Sequence, residues 1–517
     1  MATKYVFITG GVVSGLGKGT VAASLGRLLI NRGLKISIQK LDVYLNVDPS
    51  MMNPFRHGEV FVTDDGAETD LDVGHYERFT GVHFNKNVNS TMGKVYQSVL
   101  RKERAGEYQG RDVQVVPHVT DEIKRVIKEV SKDVDVAIIE VGGTVGEIEG
   151  STTIEAVRQL KLELGSNGSF NIHVTLVPYL ECSKEIKTKP TQNSVRDLRH
   201  MGINPDVVIC RTNRGIEIDT EAREKIALFC NLKDINHVIH APDCLTVYQV
   251  PVNLKEQKLD EIVLEHFGIK AKQGNLEDWK NMVLKMLDDS NKTPKKIAII
   301  GKYASVPDSY ISVTEAIKHA ALFTDVKADI HLVNPDDLMA NSVKAFLGKF
   351  DAIVVANAHG RAGLEGCVLA AQVARENNIP YLGIGLGLQA AVVDFAKNVA
   401  NWQLFNLFTN GKIRLGLCDV KLEKGSKAYN AYNTIQKNTT QTKERHRNDY
   451  EFDNAYQKEL ENTGLVFSGV DCDDLVEIVE NPSCKYFIAC QFHPELVSKP
   501  YNPHPLFVGL IKASLDK

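Results

Sequence analysis

The run Gly10-Gly11-Val12-Val13-Ser14-Gly15-Leu16-Gly17-Lys18-Gly19-Thr20 puts glycines, a lysine and hydroxyls where a strand gives way to a helix. In such a turn backbone N–H groups close around phosphate oxygens, the helix N-terminus adds its positive dipole end, and a lysine reaches the terminal phosphates. The spacing departs from GxxxxGK[ST]: five residues separate Gly11 from Gly17, and Gly19 intervenes before Thr20. A plain glycine-rich turn is the alternative, and the order strand, loop, Lys18, helix favours phosphate. Phosphoryl transfer also needs a divalent cation, and magnesium takes carboxylates and water. Asp72 closes the acidic stretch 63–72, where by itself it reads as a solvated loop residue. Glu140 ends the apolar strand 134–139 and precedes Val141-Gly142-Gly143-Thr144. A carboxylate at the carboxyl edge of a parallel strand faces the crevice where such sheets bind ligands. Lys40, ending the second strand, is a second candidate phosphate contact there.

The elements that must position these groups alternate. Strands are expected at 5–9, 35–40, 134–141, 172–178 and 207–211, with helices over 20–31 and 194–201. That alternation predicts an α/β domain with a P-loop-type doubly wound parallel sheet covered on both faces, spanning residues 1–272. Residues 273–296 read as a linker, polar and broken by Pro294, with a docked amphipathic helix carrying Leu276, Trp279, Val283, Met286 and Leu287 on one face. A second α/β domain, 297–517, starts at Ile297-Ala298-Ile299-Ile300-Gly301. Its helix is expected at 312–323, with strands at 328–332, 352–355, 381–385 and 486–492 and a polar interruption from 430 to 448.

Composition narrows the classes. The chain has 517 residues, enough for several domains, with 43% hydrophobic and 24% charged content, as an ordinary globular enzyme has. A net charge of −4 gives no electrostatic reason to expect nucleic acid or an anionic membrane as partner. Nine scattered cysteines without a CxxC pair indicate neither a disulfide framework nor a zinc site, and a reducing cytoplasm suits them. No apolar run approaches the roughly 20 residues needed to span a bilayer, and the first strand starts without a signal-peptide pattern.

Longer runs are more specific. Lys40-Leu41-Asp42-Val43-Tyr44-Leu45-Asn46-Val47-Asp48-Pro49, His57-Gly58-Glu59-Val60-Phe61-Val62 and Asp65-Gly66-Ala67-Glu68-Thr69-Asp70-Leu71-Asp72 closely resemble the CTP synthase family. So do Gly74-His75-Tyr76-Glu77-Arg78-Phe79, the run from Glu140 to Glu149, and Lys187-Thr188-Lys189-Pro190-Thr191-Gln192. The resemblance implies a ligase in which ATP, as co-substrate with Mg2+, phosphorylates O4 of UTP and ammonia displaces the phosphate at C4. It implies that Ser14, Gly15, Leu16, Gly17, Lys18, Gly19, Thr20 and Asp72 hold ATP, that Asp72 and Glu140 hold magnesium, and that Lys18 and Lys40 stabilise the transferring phosphoryl group. Glu147, Ile148, Glu149, Lys187, Thr188, Lys189, Pro190, Thr191, Gln192 and Lys225, with Ser14, would surround UTP or the feedback inhibitor CTP. His57 matches a position lining the family's ammonia passage. Departures are small: Gly15 for serine, Val43 for proline, Glu147 for aspartate.

The second domain resembles class I glutamine amidotransferases, with Gln491-Phe492-His493-Pro494-Glu495 as its His/Glu segment. Such glutaminases need a cysteine on a sharp strand-to-helix turn, a histidine base oriented by a carboxylate, and donors for the oxyanion. Here Gly385 stands at the cysteine position within Tyr381–Gln389, so the site reads as degenerate, with His493 and Glu495 retained. The oxyanion segment reads Ala356-Asn357-Ala358-His359-Gly360, Asp449 takes the basic position that should hold the substrate carboxylate, and no substrate-binding glutamate is evident around 401–415. Cys367, Cys418 and Cys490 read as buried small hydrophobes rather than substitute nucleophiles.

These readings together predict ammonia-dependent CTP formation, absent glutaminase activity, a cytoplasmic location and, by resemblance, a homotetramer. Whether GTP acts stays open. The alternatives are a non-catalytic nucleotide-binding regulatory or filament subunit, a glutamine user with an unrecognised nucleophile, and another P-loop amidoligase. Retention of Lys18, Asp72 and Glu140 speaks against the first.

Overall fold

Near-continuous apolar runs such as Tyr5-Val6-Phe7-Ile8 suit strands covered on both faces, and they build an all-parallel sheet. In a computed structural model that describes residues 2–338, 342–358, 360, 362–402 and 407–516, seven strands form it: β1 (Lys4–Gly10), β2 (Ile36–Asp42), β3 (Asn89–Thr91), β4 (Val136–Val141), β5 (Ser169–Leu176), β6 (Val207–Thr212) and β7 (Val238–Pro242). Their order is β7-β6-β5-β1-β4-β2-β3. Pairing β1 and β2 on either side of β4 sets Ile8 and Lys40 both opposite Glu140. Val6, Phe7, Ile8, Ile138 and Ile139 are fully buried, so only strand ends reach solvent.

A second sheet has nine strands: β8 (Thr293–Ile300), β9 (Val326–Val333), β10 (Ala352–Val355), β11 (Tyr381–Ile384), β12 (Phe408–Leu422), β13 (Gln441–Phe452), β14 (Val466–Val470), β15 (Val476–Glu480) and β16 (Phe487–Cys490). The order is β9-β8-β10-β11-β16-β15-β14-β12-β13. The half from β9 to β16 is parallel, and the half from β16 to β13 is antiparallel.

By packing, Met1–Pro49 with His75–Leu287 form one unit, and Ser50–Gly74 with Asp288–Lys517 form the other. The segment Ser50–Gly74 lies early in the chain but is held in the second unit by ionic contacts. Arg445, fully buried, reaches Asp64 at 2.6 Å and lies over the Phe61 ring, and Arg447 reaches Glu68 at 2.8 Å. In the first unit the helix Glu277–Leu287 buries Trp279, Met282 and Val283, and the Trp279 indole donates to the Tyr248 carbonyl at 2.7 Å. No helix among the described residues is long and apolar enough to cross a membrane.

Several expected bounds shift. The first helix begins at Lys18 rather than residue 20. The helix expected from Ser194 begins at Lys189, because Pro190 suits a first helical turn. The final strand is shorter than residues 486–492. The largest correction concerns the polar interruption at 430–448, which instead holds the helix Lys427–Asn433 and most of β13, paired along its length with β12. His446 within it meets Glu477 at 2.8 Å, and Arg414 on the paired β12 joins Glu451, Asp471 and Glu477.

Burial alone would lower the basicity of His446, but hydrogen bonds with Cys418 and Glu477 outweigh it and push its pKa up to about 10. The folded value lies above the ordinary histidine value of about 6.5. The stability this pair contributes is therefore complete below about pH 6.5 and is lost as pH rises through about 10. Calorimetry is expected to show the unfolding temperature of the second unit falling across that window, and His446→Gln to flatten the fall. An unchanged slope in the variant would remove His446 as its origin.

Candidate functional site

The phosphate loop is fixed from behind. Gly17 takes φ 81°, a left-handed conformation that costs glycine little, and the helix Lys18–Asn31 starts at the next residue. A β-carbon on Gly11 would lie 1.6 Å from Ser194 Oγ, so the loop can lie against the helix Lys189–His200 only with glycine there. Ser194 Oγ is 2.8 Å from His173 Nε2, and Thr9 Oγ1 is 2.8 Å from His173 Nδ1. Full burial, with the Lys18 charge nearby, lowers the His173 pKa to about 3 and keeps the ring neutral. His173 thus positions the loop without adding charge to it.

Lys18 Nζ donates to the Gly143 carbonyl at 2.7 Å, which ties the lysine to the loop following β4. Glu140, almost fully buried, accepts from the Tyr76 hydroxyl, and Lys40 Nζ stands 3.8 Å from its carboxylate and 3.9 Å from that of Asp42. Lys40 and Glu140 are therefore brought together as charge partners across β2 and β4. A small cavity joins Gly10 to the loop from Gly142 to Glu147, where the Glu147 carboxylate accepts from the Thr144 N–H at 3.0 Å. Among the described residues no group of three or more His, Cys, Asp or Glu side chains is placed so that it could hold a metal ion by itself. Magnesium suits one or two carboxylates completed by substrate phosphates and water, and the buried Glu140 at a strand end beside the phosphate loop fits that demand.

The remaining predicted residues are placed as follows. Ser14 and Gly15 are exposed at the loop tip, Leu16 is buried, and Gly19 and Thr20 lie in the first turn of the helix. Ile148 and Glu149 are exposed ahead of the helix Ser151–Leu164. Thr188 immediately precedes the helix in which Lys189, Pro190, Thr191 and Gln192 form the first turn, and the Gln192 side chain donates to Thr188 Oγ1 at 3.1 Å. Lys187 is ion-paired with the exposed Glu185, and its ammonium and the Ser183 hydroxyl, with the Lys225 charge, hold that carboxylate below its usual range. Asp72, at the start of the helix Asp72–Thr80, and His57, exposed at the end of the turn Pro54–His57, belong by packing to the second unit.

In that unit β11 runs into the helix Leu386–Asn398 through Gly385, at φ 53° and ψ −101°. Asn357, just past β10, fills the space above it. Its Oδ1 accepts from Leu386 N–H at 3.0 Å, and its Nδ2 is 3.4 Å from His493 Nε2. A β-carbon on Gly385 would stand 2.6 Å from Asn357 Oδ1 and 2.8 Å from its Cγ. His493 Nδ1 is 2.7 Å from Glu495, and both are buried. Asp449 lies on β13 beside the register shift of the β12–β13 ladder. His359 and residues 403–406 lie outside the described residues. Burial pushes Cys367 up to about 12 and raises Cys490 as well, while Cys418 bonds His446; no cysteine is hydrogen-bonded to His493 among the described residues. Tyr76, Asn357, His173 and Ser194 were not assigned roles from the sequence. Tyr76 lies in a run that carries the family resemblance and Asn357 in one that departs from it, whereas nothing local marks His173 or Ser194.

Residues 4–269 match the family model described as CTP synthase N-terminus, and residues 305–513 match the class-I glutamine amidotransferase model. CTP synthases of Bacillus cytotoxicus and Bacillus mycoides are each 47% identical over 538 aligned positions, covering 99% of this chain and 99% of the relative. Among solved structures, the glutaminase domain of the Trypanosoma brucei enzyme with bound acivicin is 34% identical, covering 43% of this chain and 94% of its own, with a TM-score of 0.41.

Gly385→Ala should destabilise the chain by about 1–3 kcal/mol through strain and collision. Asn357→Gly removes the collision, so the double variant should cost less than the sum of the singles by about 1 kcal/mol. Denaturant titration of the four proteins checks this, and strict additivity would show that Asn357 does not close the site over Gly385.

Proposed function

The chain belongs to the CTP synthase family, and from that premise we propose that it forms CTP from UTP, ATP and ammonia while releasing no ammonia from glutamine. The γ-phosphoryl group of ATP passes to O4 of UTP and ADP leaves. Ammonia then adds at C4, and phosphate departs with the former O4, which makes a poor oxygen leaving group into a good one. Lys18 and the loop from Ser14 to Thr20 hold the ATP phosphates, and Lys40 meets the charge that develops on the transferring group. Glu140 would hold magnesium together with substrate oxygens, and the ion would supply further positive charge there. Glu147 to Glu149, Lys187 to Gln192 and Lys225 hold UTP and, in inhibition, CTP, while His57 lines the ammonia path. The assembly is a homotetramer in this reading.

The observation that carries the loss of glutaminase activity is Asn357. Its side chain comes within 2.6 Å of where the first atom of a nucleophile at 385 would stand, and it engages both Leu386 N–H and His493 Nε2. The histidine is thereby paired with an amide instead of an acid to be activated. Replacement of a single residue does not recreate a nucleophile and base within reach of each other.

Purified protein given UTP, ATP and magnesium should make CTP with ammonium chloride and none with glutamine. Lys18→Met and Glu140→Gln should each lower the ammonia-dependent rate by about 100-fold or more. Gly385→Cys alone should leave glutamine unused. Product from glutamine in the unaltered protein would overturn the reading of the second unit, and no product from either nitrogen source would point to a regulatory subunit.

A further inference from the structure

In the first unit the helix Lys189–His200 is tied to β5 by two polar contacts. Thr191, in its first turn, has its hydroxyl 3.1 Å from that of Thr175 and donates to the Leu176 carbonyl at 3.1 Å, while Ser194 Oγ is 2.8 Å from His173 Nε2. His173 and Thr175 are alternate residues of the strand, so both stand on the face that meets the helix. The other nitrogen of the His173 ring meets Thr9 of β1, and the Gly11 N–H, at the start of the phosphate loop, donates to the Val174 carbonyl at 3.1 Å. Thr9, His173, Thr175, Thr191 and Ser194 are all buried. One strand therefore carries both the phosphate loop and the helix that opens with Lys189-Pro190-Thr191-Gln192.

The protons of these groups run one way. A neutral imidazole donates through one nitrogen and accepts through the other. Among the described residues the Ser194 hydroxyl has His173 Nε2 as its hydrogen-bond partner, so its proton goes there; Nδ1–H then donates to Thr9 Oγ1, and Thr9 donates to the Ile172 carbonyl at 3.4 Å. The opposite tautomer would leave a buried hydroxyl proton without an acceptor. Held this way, Ser194 faces the loop: a β-carbon on Gly11 would lie 1.6 Å from Ser194 Oγ, 2.9 Å from its Cβ and 3.1 Å from His173 Nε2. Gly11 does not take a left-handed φ. What calls for glycine there is this approach, not a backbone conformation.

We propose that Ser194, oriented by His173, is a positioning residue that seats the loop holding the ATP phosphates against the helix that opens the UTP site, and so sets the γ-phosphorus of ATP at attacking distance from O4 of UTP. The inference rests on the synthesis of CTP proposed above. In-line transfer needs the reacting atoms about 3–3.5 Å apart, and a displacement of about 1 Å can cost about 100-fold in rate. Each nucleotide is meanwhile held by contacts of its own. A loop released from Ser194 would still bind ATP, and the helix would still bind UTP, in a geometry that seldom reacts.

The test compares the full chain with Ser194→Ala, Ser194→Gly, Gly11→Ala and the double variant Gly11→Ala/Ser194→Gly, by ammonia-dependent CTP formation and by calorimetric titration with UTP and with β,γ-methylene-ATP. Ser194→Ala should lower kcat about tenfold to 100-fold and leave the KM for ATP and for UTP within about a factor of two. It should still bind one UTP and one ATP analogue per chain, which separates misplacement from a loss of folded protein. Gly11→Ala should lower kcat at least as far, and the double variant should return to within about threefold of Ser194→Gly alone, because the colliding side chain is gone. Should Ser194→Ala fold poorly, the Gly11 pair decides. Unchanged kcat in Ser194→Ala, a raised KM for one nucleotide at full kcat, or an equal loss from Gly11→Ala with serine or glycine at 194 would each overturn the positioning role while leaving CTP synthesis standing. A parent that makes no CTP from ammonium would overturn the synthesis reading itself, and with it the transfer that Ser194 is proposed to align.

Discussion

A parallel strand buried on both faces can present functional groups only at its ends, because its middle must be apolar and its backbone polar groups must pair with neighbours. That constraint shapes the first unit. The apolar run from Val136 to Ile139 gives way to Glu140, and Lys40 stands opposite it in the paired strand, so one ladder sets a carboxylate and an ammonium side by side near the carboxyl end of the sheet. The phosphate loop leaves β1 at that edge and Lys18 returns across it to the Gly143 carbonyl. Charges placed this way lie in a setting of low dielectric, where they act more strongly than in water.

The same constraint operates at Gly385, where β11 ends against a helix, but the chemistry there is altered. Asn357 and Gly385 are far apart in sequence yet act as one arrangement: the missing β-carbon makes room for the amide, and the amide takes hydrogen bonds at the turn and at His493. His493 and Glu495 keep their mutual hydrogen bond, which shows that such a pair persists as a packing unit without a nucleophile beside it.

Charged residues of the second unit show how partners remote in sequence govern burial. The run Glu444-Arg445-His446-Arg447, within the polar interruption, carries four ionisable side chains in succession. In the fold each member has a counter-charge: His504 for Glu444, Asp64 for Arg445, Glu477 for His446 and Glu68 for Arg447. Two of these partners come from Ser50–Gly74, a segment whose place in the second unit no local pattern announces.

The sequence alone determined the alternation of strands and helices, the phosphate loop with Lys18, the carboxylate at the end of an apolar strand, the family, and the glycine where a nucleophile is expected. Those features depend on local spacing and residue type, which the chain carries within a few positions. Only the tertiary structure decided that His173 and Ser194 brace the loop, that Asn357 fills the space over Gly385, and that β13 is a strand. Each of these is a contact between residues distant along the chain, and its energy depends on geometry that residue types do not encode one at a time.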